Sequence, residues 1–195
     1  MFEALGSIGA AFGLATSAGL NAYIPLLIVA LAARFPLTDP LLQLAEPYDL
    51  MGSWWVIGLL VVLLFIEMTV DKIPAVDTIN DVIQTFVRPA AGAILFAANA
   101  NVVTDIHPVV ALVAGLLLAG SIHAAKGVVR PFVTATTGGT GNWLVSLVED
   151  IIAFFVSLLS ILVPVLAFMV AVALAVWIFR LYRRRQQRKP AAYKA

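Results

Sequence analysis

Ionisable side chains lie in or beside strongly apolar stretches of this chain. Between residues 66 and 130, four acidic and four basic groups occupy such positions: Glu67, Asp71, Asp77, Asp81, Lys72, Arg88, Lys126 and Arg130. A charge at bilayer depth costs roughly 2.5 to 3.5 kcal/mol on insertion scales, so such groups normally face a protein interior or a wet cavity and pair with one another. The pattern therefore predicts a polar site inside a membrane protein.

The overall composition places the chain in the membrane class. It is 62% hydrophobic and 12% charged, with a mean hydropathy of +1.02, whereas soluble domains have about 25% charged residues. Its 195 residues have room for about four to six membrane segments of roughly 20 residues each. We expect an all-α, polytopic membrane protein. Because cysteine is absent, disulfides and thiolate chemistry are excluded.

Apolar runs and breaking residues divide the chain into segments. Membrane helices are predicted over residues 8–33, 54–70, 77–100, 108–129 and 143–180, with a loop at 35–53. We expect Pro74 and Pro131 to end helices, since proline removes a backbone donor and its ring clashes with the preceding turn. Broken or re-entrant helices are expected near 16–21 and 136–142. Glu149 and Asp150 leave almost no room for a turn between a fifth and a sixth crossing.

Positive charge predicts the orientation and the tail. Seven of the twelve lysines and arginines lie in the last sixteen residues. Because cytoplasmic segments are enriched in such residues, the C-terminus is expected in the cytoplasm and the acidic loop at 39–49 outside. We expect one transmembrane domain over 1–180 and a basic cytoplasmic tail over 181–195, in a multi-pass protein of the cell membrane.

Helical spacing arranges the charges as stripes. Residues three or four apart share a helix face, which groups Glu67 with Asp71, then Asp77, Asp81, Gln84 and Arg88, then His123, Lys126 and Arg130. The stripes either neutralise each other and hold helices together, or the basic excess marks a site for an anion or a proton route through His123. The spacing leaves both interpretations open.

Two polar segments resemble each other. TSAGLN, ending at Asn21, and TGGTGN, ending at Asn142, each pass from threonine through small residues to asparagine and then into an apolar helix. Broken membrane helices at related positions often mark transporter sites, because a half-helix N-terminus offers free N–H groups. Close helix packing by small residues is the alternative explanation.

Several motifs together carry a family resemblance: GLNAYIPLL, DKIPAVD, RPAAGA, HAAKGVVR and TGGTGNWLVSLVED. With them, most of residues 13–150 resembles a family of small bacterial integral membrane proteins classed as a domain of unknown function. The resemblance implies an all-helical membrane protein and no particular activity. Its motif positions include Pro74 and most of the charged residues named above.

The favoured function is a transporter or channel for a small solute, with an anionic or a proton-coupled solute as options. Its expected binding residues are Asn21, His123, Lys126, Arg130 and Asn142. Its charge network is expected to comprise Glu67, Asp71, Lys72, Asp77, Asp81, Arg88, Glu149 and Asp150.

Two other function classes stay open. One is a membrane-embedded enzyme acting on a lipid phosphate, with Asp77, Asp81, Glu149 and Asp150 as Mg²⁺ ligands. The other is a structural or partner-binding membrane protein. No cofactor and no nucleic acid are expected, and no metal is identified by the spacing. The expected partners are the lipid bilayer and a small solute or ion, with a homo-oligomer left open.

Overall fold

The computed structural model describes most of the chain through residue 163. The described residues are 2–35, 44, 46–70, 74–100, 106–138 and 141–163, together with five single positions between 173 and 183. Side chains are not described at 2–5, 74–79 and 100. The predictions for Asp71, Lys72, the Asp77 side chain and most of the basic tail therefore lie outside the described residues.

Within this part the chain is all-helical, which confirms the predicted fold class. Its helices are α1 (Phe2–Leu20), α2 (Tyr23–Arg34), α3 (Trp54–Val70), α4 (Pro74–Ala100), α5 (Pro108–Thr137) and α6 (Asn142–Leu162), with a short 3₁₀ helix at Tyr48–Gly52.

Three helices of the described part are long and apolar enough to cross a membrane: Asn80–Asn99 within α4, Pro108–Thr137 and Asn142–Leu162. Three shorter apolar helices accompany them, over Gly6–Leu20, Tyr23–Arg34 and Trp54–Val70. Large apolar side chains also point outward, including Phe65, Val128 and Phe132 at 71%, 78% and 72% exposure. An apolar exterior of this kind is compatible with a membrane protein, because lipid tails solvate such side chains.

The helix α1 packs against α4, α5 and α6. Its buried positions are mostly small, and Ala11, Ala15 and Ala18 have no exposed surface. A Cβ atom added at Gly19 would lie 2.6 Å from the Ala119 carbonyl oxygen. Small residues thus bring the α1 backbone close to α5, which is a common packing mode of membrane helices.

The helices α4 and α5 also meet through glycine. A Cβ atom at Gly115 would overlap the carbonyl oxygen of Gly92, and one at Gly92 would overlap the Ala119 side chain. Any larger residue at either position must separate the two backbones. Because Asp81 and Arg88 lie on α4 and Lys126 and Arg130 lie on α5, this contact sets the spacing across which those charges meet.

The prolines behave differently from one another. Val70 ends α3 and Pro74 itself begins α4, as expected for proline in a first helical turn. The prediction that Pro131 ends a helix is wrong, because α5 continues through it to Thr137. Membrane helices tolerate an internal proline when neighbouring groups satisfy the freed backbone.

The helix α6 runs without interruption through Glu149 and Asp150. These two carboxylates therefore lie on one continuous helix rather than at a turn between two crossings. The chain is interrupted near both predicted positions, since Asn21 and Ala22 separate α1 from α2, and the chain between Thr137 and Asn142 separates α5 from α6. The first interruption is shorter than predicted, because residues 16–20 belong to α1.

Candidate functional site

The break between α1 and α2 is buried and organised by one asparagine. Asn21 is 1% exposed, and its Oδ1 accepts hydrogen bonds from the backbone N–H groups of Tyr23 and Ile24, at 2.9 and 3.0 Å. Its Nδ2 donates to Oδ1 of Asp150 on α6 at 2.9 Å. An amide suits this place because it both accepts and donates. Asn21 therefore caps α2 and joins the break to α6.

A lysine from α5 reaches the other side of the same break. Lys126 is 7% exposed, and its Nζ donates to the carbonyl oxygen of Leu20 at 3.4 Å. The same Nζ forms an ion pair with Oε2 of Glu149. A cation at the last carbonyls of a helix is favourable, because the dipole of the helix is negative there. We call Asn21, Lys126, Glu149 and Asp150 the break site.

Further charge pairs extend the break site towards α4. Arg130 donates to Oδ2 of Asp81 at 2.8 Å and lies 3.9 Å from Oε2 of Glu149. The acidic stripe of α4 and the basic stripe of α5 therefore meet. The Asp81 side chain is 35% exposed and that of Arg130 is 8% exposed, so this pair lies nearer the surface of the protein than the break site.

A second group of polar side chains lies deeper between the helices. Arg88 on α4 pairs with Glu67 on α3 at 3.0 Å, and their side chains are 1% and 2% exposed. Gln84 lies one turn before Arg88 and makes a side-chain hydrogen bond with Tyr23 at the start of α2. His123 on α5 contacts Arg88. We call these five residues the polar cluster.

The contacts of His123 fix its protonation state in this arrangement. Its Nδ1 lies 3.3 Å from Nη1 of Arg88, and a guanidinium nitrogen only donates. Nδ1 must therefore carry the lone pair. Nε2 then carries the hydrogen and donates to the Thr85 hydroxyl at 3.1 Å, which itself donates to the Asp81 carbonyl oxygen at 2.8 Å. The imidazole is neutral here, and protonation would break its contact with Arg88.

The second interruption has a different character. α5 ends at Gly138 in the left-handed conformation, with φ of 63°, a common C-terminal cap. Asn142 accepts a hydrogen bond from the Thr134 hydroxyl at 3.1 Å, and residues 134–138 are exposed. No described hydrogen bond joins Asn142 to Asn21. The segment at Asn142 connects two helices, whereas the segment at Asn21 is a buried break.

The predicted site residues thus divide into two groups. The structure brings together Asn21, Lys126, Arg130, Asp81, Glu149 and Asp150 around the break, and Glu67, Arg88 and His123 in the polar cluster. No described hydrogen bond or ion pair links Asn142 to either group; its described partner is Thr134.

Sequence reasoning missed other polar contacts. Ser17 on α1 donates to the Ala153 carbonyl oxygen at 2.8 Å and contacts the Ser157 hydroxyl at 2.7 Å. Tyr23 was also missed, although it directly follows the predicted break. Ser17 lies inside the polar segment TSAGLN and Tyr23 lies two residues after Asn21, but nothing in their spacing indicates a partner.

The carboxylates do not assemble as metal ligands within the described part of the chain. No group of three or more histidines, aspartates or glutamates there is arranged to hold a metal ion. Asp81 instead faces Arg130, and Glu149 faces Lys126. The side chain of Asp77, the other predicted Mg²⁺ ligand on α4, lies outside the described part.

Comparison with protein families agrees with the resemblance drawn from the motifs. The family described as "Domain of unknown function (DUF4126)" matches residues 8–184. The chain belongs to this family. The match includes all six described α-helices apart from the first residues of α1, so the break site and the polar cluster both lie inside the DUF4126 region. No curated protein and no solved structure matches the chain.

Proposed function

We propose that this DUF4126 protein is a multi-pass transporter or channel of the cell membrane for a small solute or ion, with the break site as its binding point. In this proposal the C-terminal tail lies in the cytoplasm. The observation that carries the proposal is a buried helix break contacted by charged side chains from two other helices, at Asn21 to Asp150 and at Leu20 to Lys126.

Burying an unwound segment of a helix is energetically unfavourable, so its presence in this protein suggests a function. Unwound backbone at membrane depth is tolerated only inside protein or along a wet space, and ionisable groups there commonly mark ion or proton pathways. A continuous helix through residues 21 and 22 would need neither the Asn21 cap nor the nearby charges. The combination therefore supports a binding function over simple packing.

The ion pairs favour a proton-coupled solute over an anion. The sequence suggests an anion because it places basic groups in excess of the acidic groups that can pair with them locally. Among the described residues, however, Arg88, Lys126 and Arg130 each face a carboxylate. Asp150 brings a carboxylate to the break through its hydrogen bond with Asn21. Carboxylates at membrane depth commonly carry protons along a pathway, so we take Asp150 as the proton acceptor of the break site.

The proposal is tested with purified protein in liposomes loaded with a pH-sensitive dye. A potassium diffusion potential set by valinomycin drives protons inward, and the dye reports their entry. Protons should enter liposomes containing the wild-type protein faster than they enter empty liposomes. With Asn21→Leu, the rate of proton entry should fall to that of empty liposomes. Asn21→Ser should also lose flux, because serine can still cap α2 but is too short to reach Asp150. Ser121→Ala, an exposed position on α5, is the matched control.

Two further variants address the remaining predicted residues. Asn142→Leu is expected to abolish flux only if the second interruption contributes to the same pathway. Lys126→Gln should change the preference between protons and chloride, measured with a chloride-sensitive dye in the same liposomes. Size-exclusion profiles of each variant show whether it still folds.

The second candidate function is a structural or partner-binding role. The pairing of charges across α3, α4, α5 and α6 favours it, since such pairs also hold helices in register. A wild-type protein that moves neither protons nor chloride faster than empty liposomes would contradict an ion pathway through the break site and favour this role.

A further inference from the structure

Two buried polar atoms of the polar cluster have no hydrogen-bond partner among the described residues. They are Oε1 of Gln84 and Nε of Arg88, and each residue is only 1% exposed. The two residues are four apart on α4, so their side chains leave the helix on the same face. Buried polar groups in folded proteins are nearly always satisfied by protein, water or a ligand. These two open positions therefore need an occupant.

The two unsatisfied atoms determine which hydrogen-bonding groups a bound molecule must have. Oε1 of Gln84 is an acceptor and needs a donor, whereas Nε of Arg88 is a donor and needs an acceptor. The Gln84 side chain is already engaged with Tyr23 through another hydrogen bond. Together the two atoms require a small molecule that both donates and accepts hydrogen bonds.

The charges of the cluster define the occupant further. Glu67 and Arg88 neutralise each other, and His123 is held neutral by its contact with the guanidinium group. The polar cluster has no net charge, so a bound ion would add an unmatched charge in a buried place, which is unfavourable. The occupant must be uncharged.

We propose that the polar cluster is a binding site for a small uncharged molecule that donates a hydrogen bond to Gln84 and accepts one from Arg88. Water and small amide- or hydroxyl-bearing solutes share this chemistry. The proposal concerns binding, and it stands whether or not the break site transports a solute.

The first test is a high-resolution density map of the full chain in lipid nanodiscs. It should show a non-protein peak about 2.7 to 3.2 Å from both Gln84 Oε1 and Arg88 Nε. Gln84→Met, which replaces the amide by an apolar side chain of similar length, should lose that peak. Ile83→Met, at an exposed neighbour on α4, should keep it. A wild-type map without the peak, or with both atoms satisfied by protein groups, would overturn the proposal.

The second test distinguishes bound water from a bound amide- or hydroxyl-bearing solute. Thermal unfolding of the wild-type protein and of Gln84→Met is compared at rising concentrations of acetamide, a small neutral amide. A solute that binds only the folded wild-type protein widens the stability gap between the two as its concentration rises. A constant gap, with the density peak present, identifies the molecule as water. If Gln84→Met does not fold, the wild-type map alone decides.

Discussion

Replacing Glu67 by glutamine should strongly destabilise the protein. The substitution keeps the size of the side chain but removes its charge, and Arg88 then loses its counter-charge while remaining 1% exposed. Breaking a buried pair by neutralising one partner costs about 3 to 5 kcal/mol. Since domains have only about 5 to 15 kcal/mol of stability in total, this loss is at least about a fifth of the free energy of unfolding.

Removing both charges should cost much less. In Glu67→Gln combined with Arg88→Met no unmatched ion remains, and doubly neutralised buried pairs are often close to neutral in stability. The main remaining loss is the contact of His123 with Arg88, which is worth about 1 kcal/mol as a single net hydrogen bond. The two single substitutions are therefore expected to be strongly non-additive.

The free energy of unfolding is measured by denaturant titration in detergent micelles, with the intrinsic fluorescence of the four tryptophans as the signal. Asp49→Asn is the matched control, because Asp49 is an exposed carboxylate in the 3₁₀ helix and its change should stay within about 0.5 kcal/mol. A Glu67→Gln protein as stable as this control, or strictly additive losses in the cycle, would refute the reasoning.

Three further predictions use the same structure. Asp81→Asn should cost clearly less than Glu67→Gln in the same titration, because the Asp81 side chain is 35% exposed and solvent screens the charge left on its partner. Gly115→Ala should lower the free energy of unfolding by about 1 to 3 kcal/mol through overpacking against α4. Gly127→Ala on the same helix, where an added Cβ has nothing within 4 Å, should raise it by up to about 1 kcal/mol through helix propensity. Equal effects of the two substitutions would contradict the close contact between α4 and α5. A reporter enzyme fused after Ala195 should be active in the cytoplasm, and a periplasmic reporter would overturn the orientation.

The helical architecture was largely predictable from the sequence, because apolar runs and small polar interruptions are local signals. The predicted span at 54–70 matches α3, and the break before Tyr23 was expected from Asn21 and its small neighbours. Pro131 was misjudged because the effect of a proline depends on what surrounds the freed carbonyl group. That surrounding is a tertiary property, and residues 127–131 alone do not specify it.

The choice of partners was less predictable than the presence of charge. Helical spacing placed Asp81 and Arg130 on opposing stripes, and the structure joins them. Spacing did not indicate that Lys126 would pair with Glu149 or that Asn21 would reach Asp150. These contacts depend on how α6 packs against α1. The buried small residues of α6 share one helix face, but their spacing does not specify which helix they contact.

The small residues and the charges of this chain depend on each other. Ala- and Gly-rich faces let α1 lie against α4, α5 and α6, and only at such short distances does Lys126 on α5 reach the last carbonyl of α1. Larger side chains in α1 would move that carbonyl away from the lysine and leave both groups buried without each other. Close packing therefore makes the buried charges tolerable, and the charges satisfy the broken backbone that the packing encloses. A substitution in the small-residue packing of α1 should therefore alter the break site, and a substitution in the break site should alter that packing. The two belong to one structural unit.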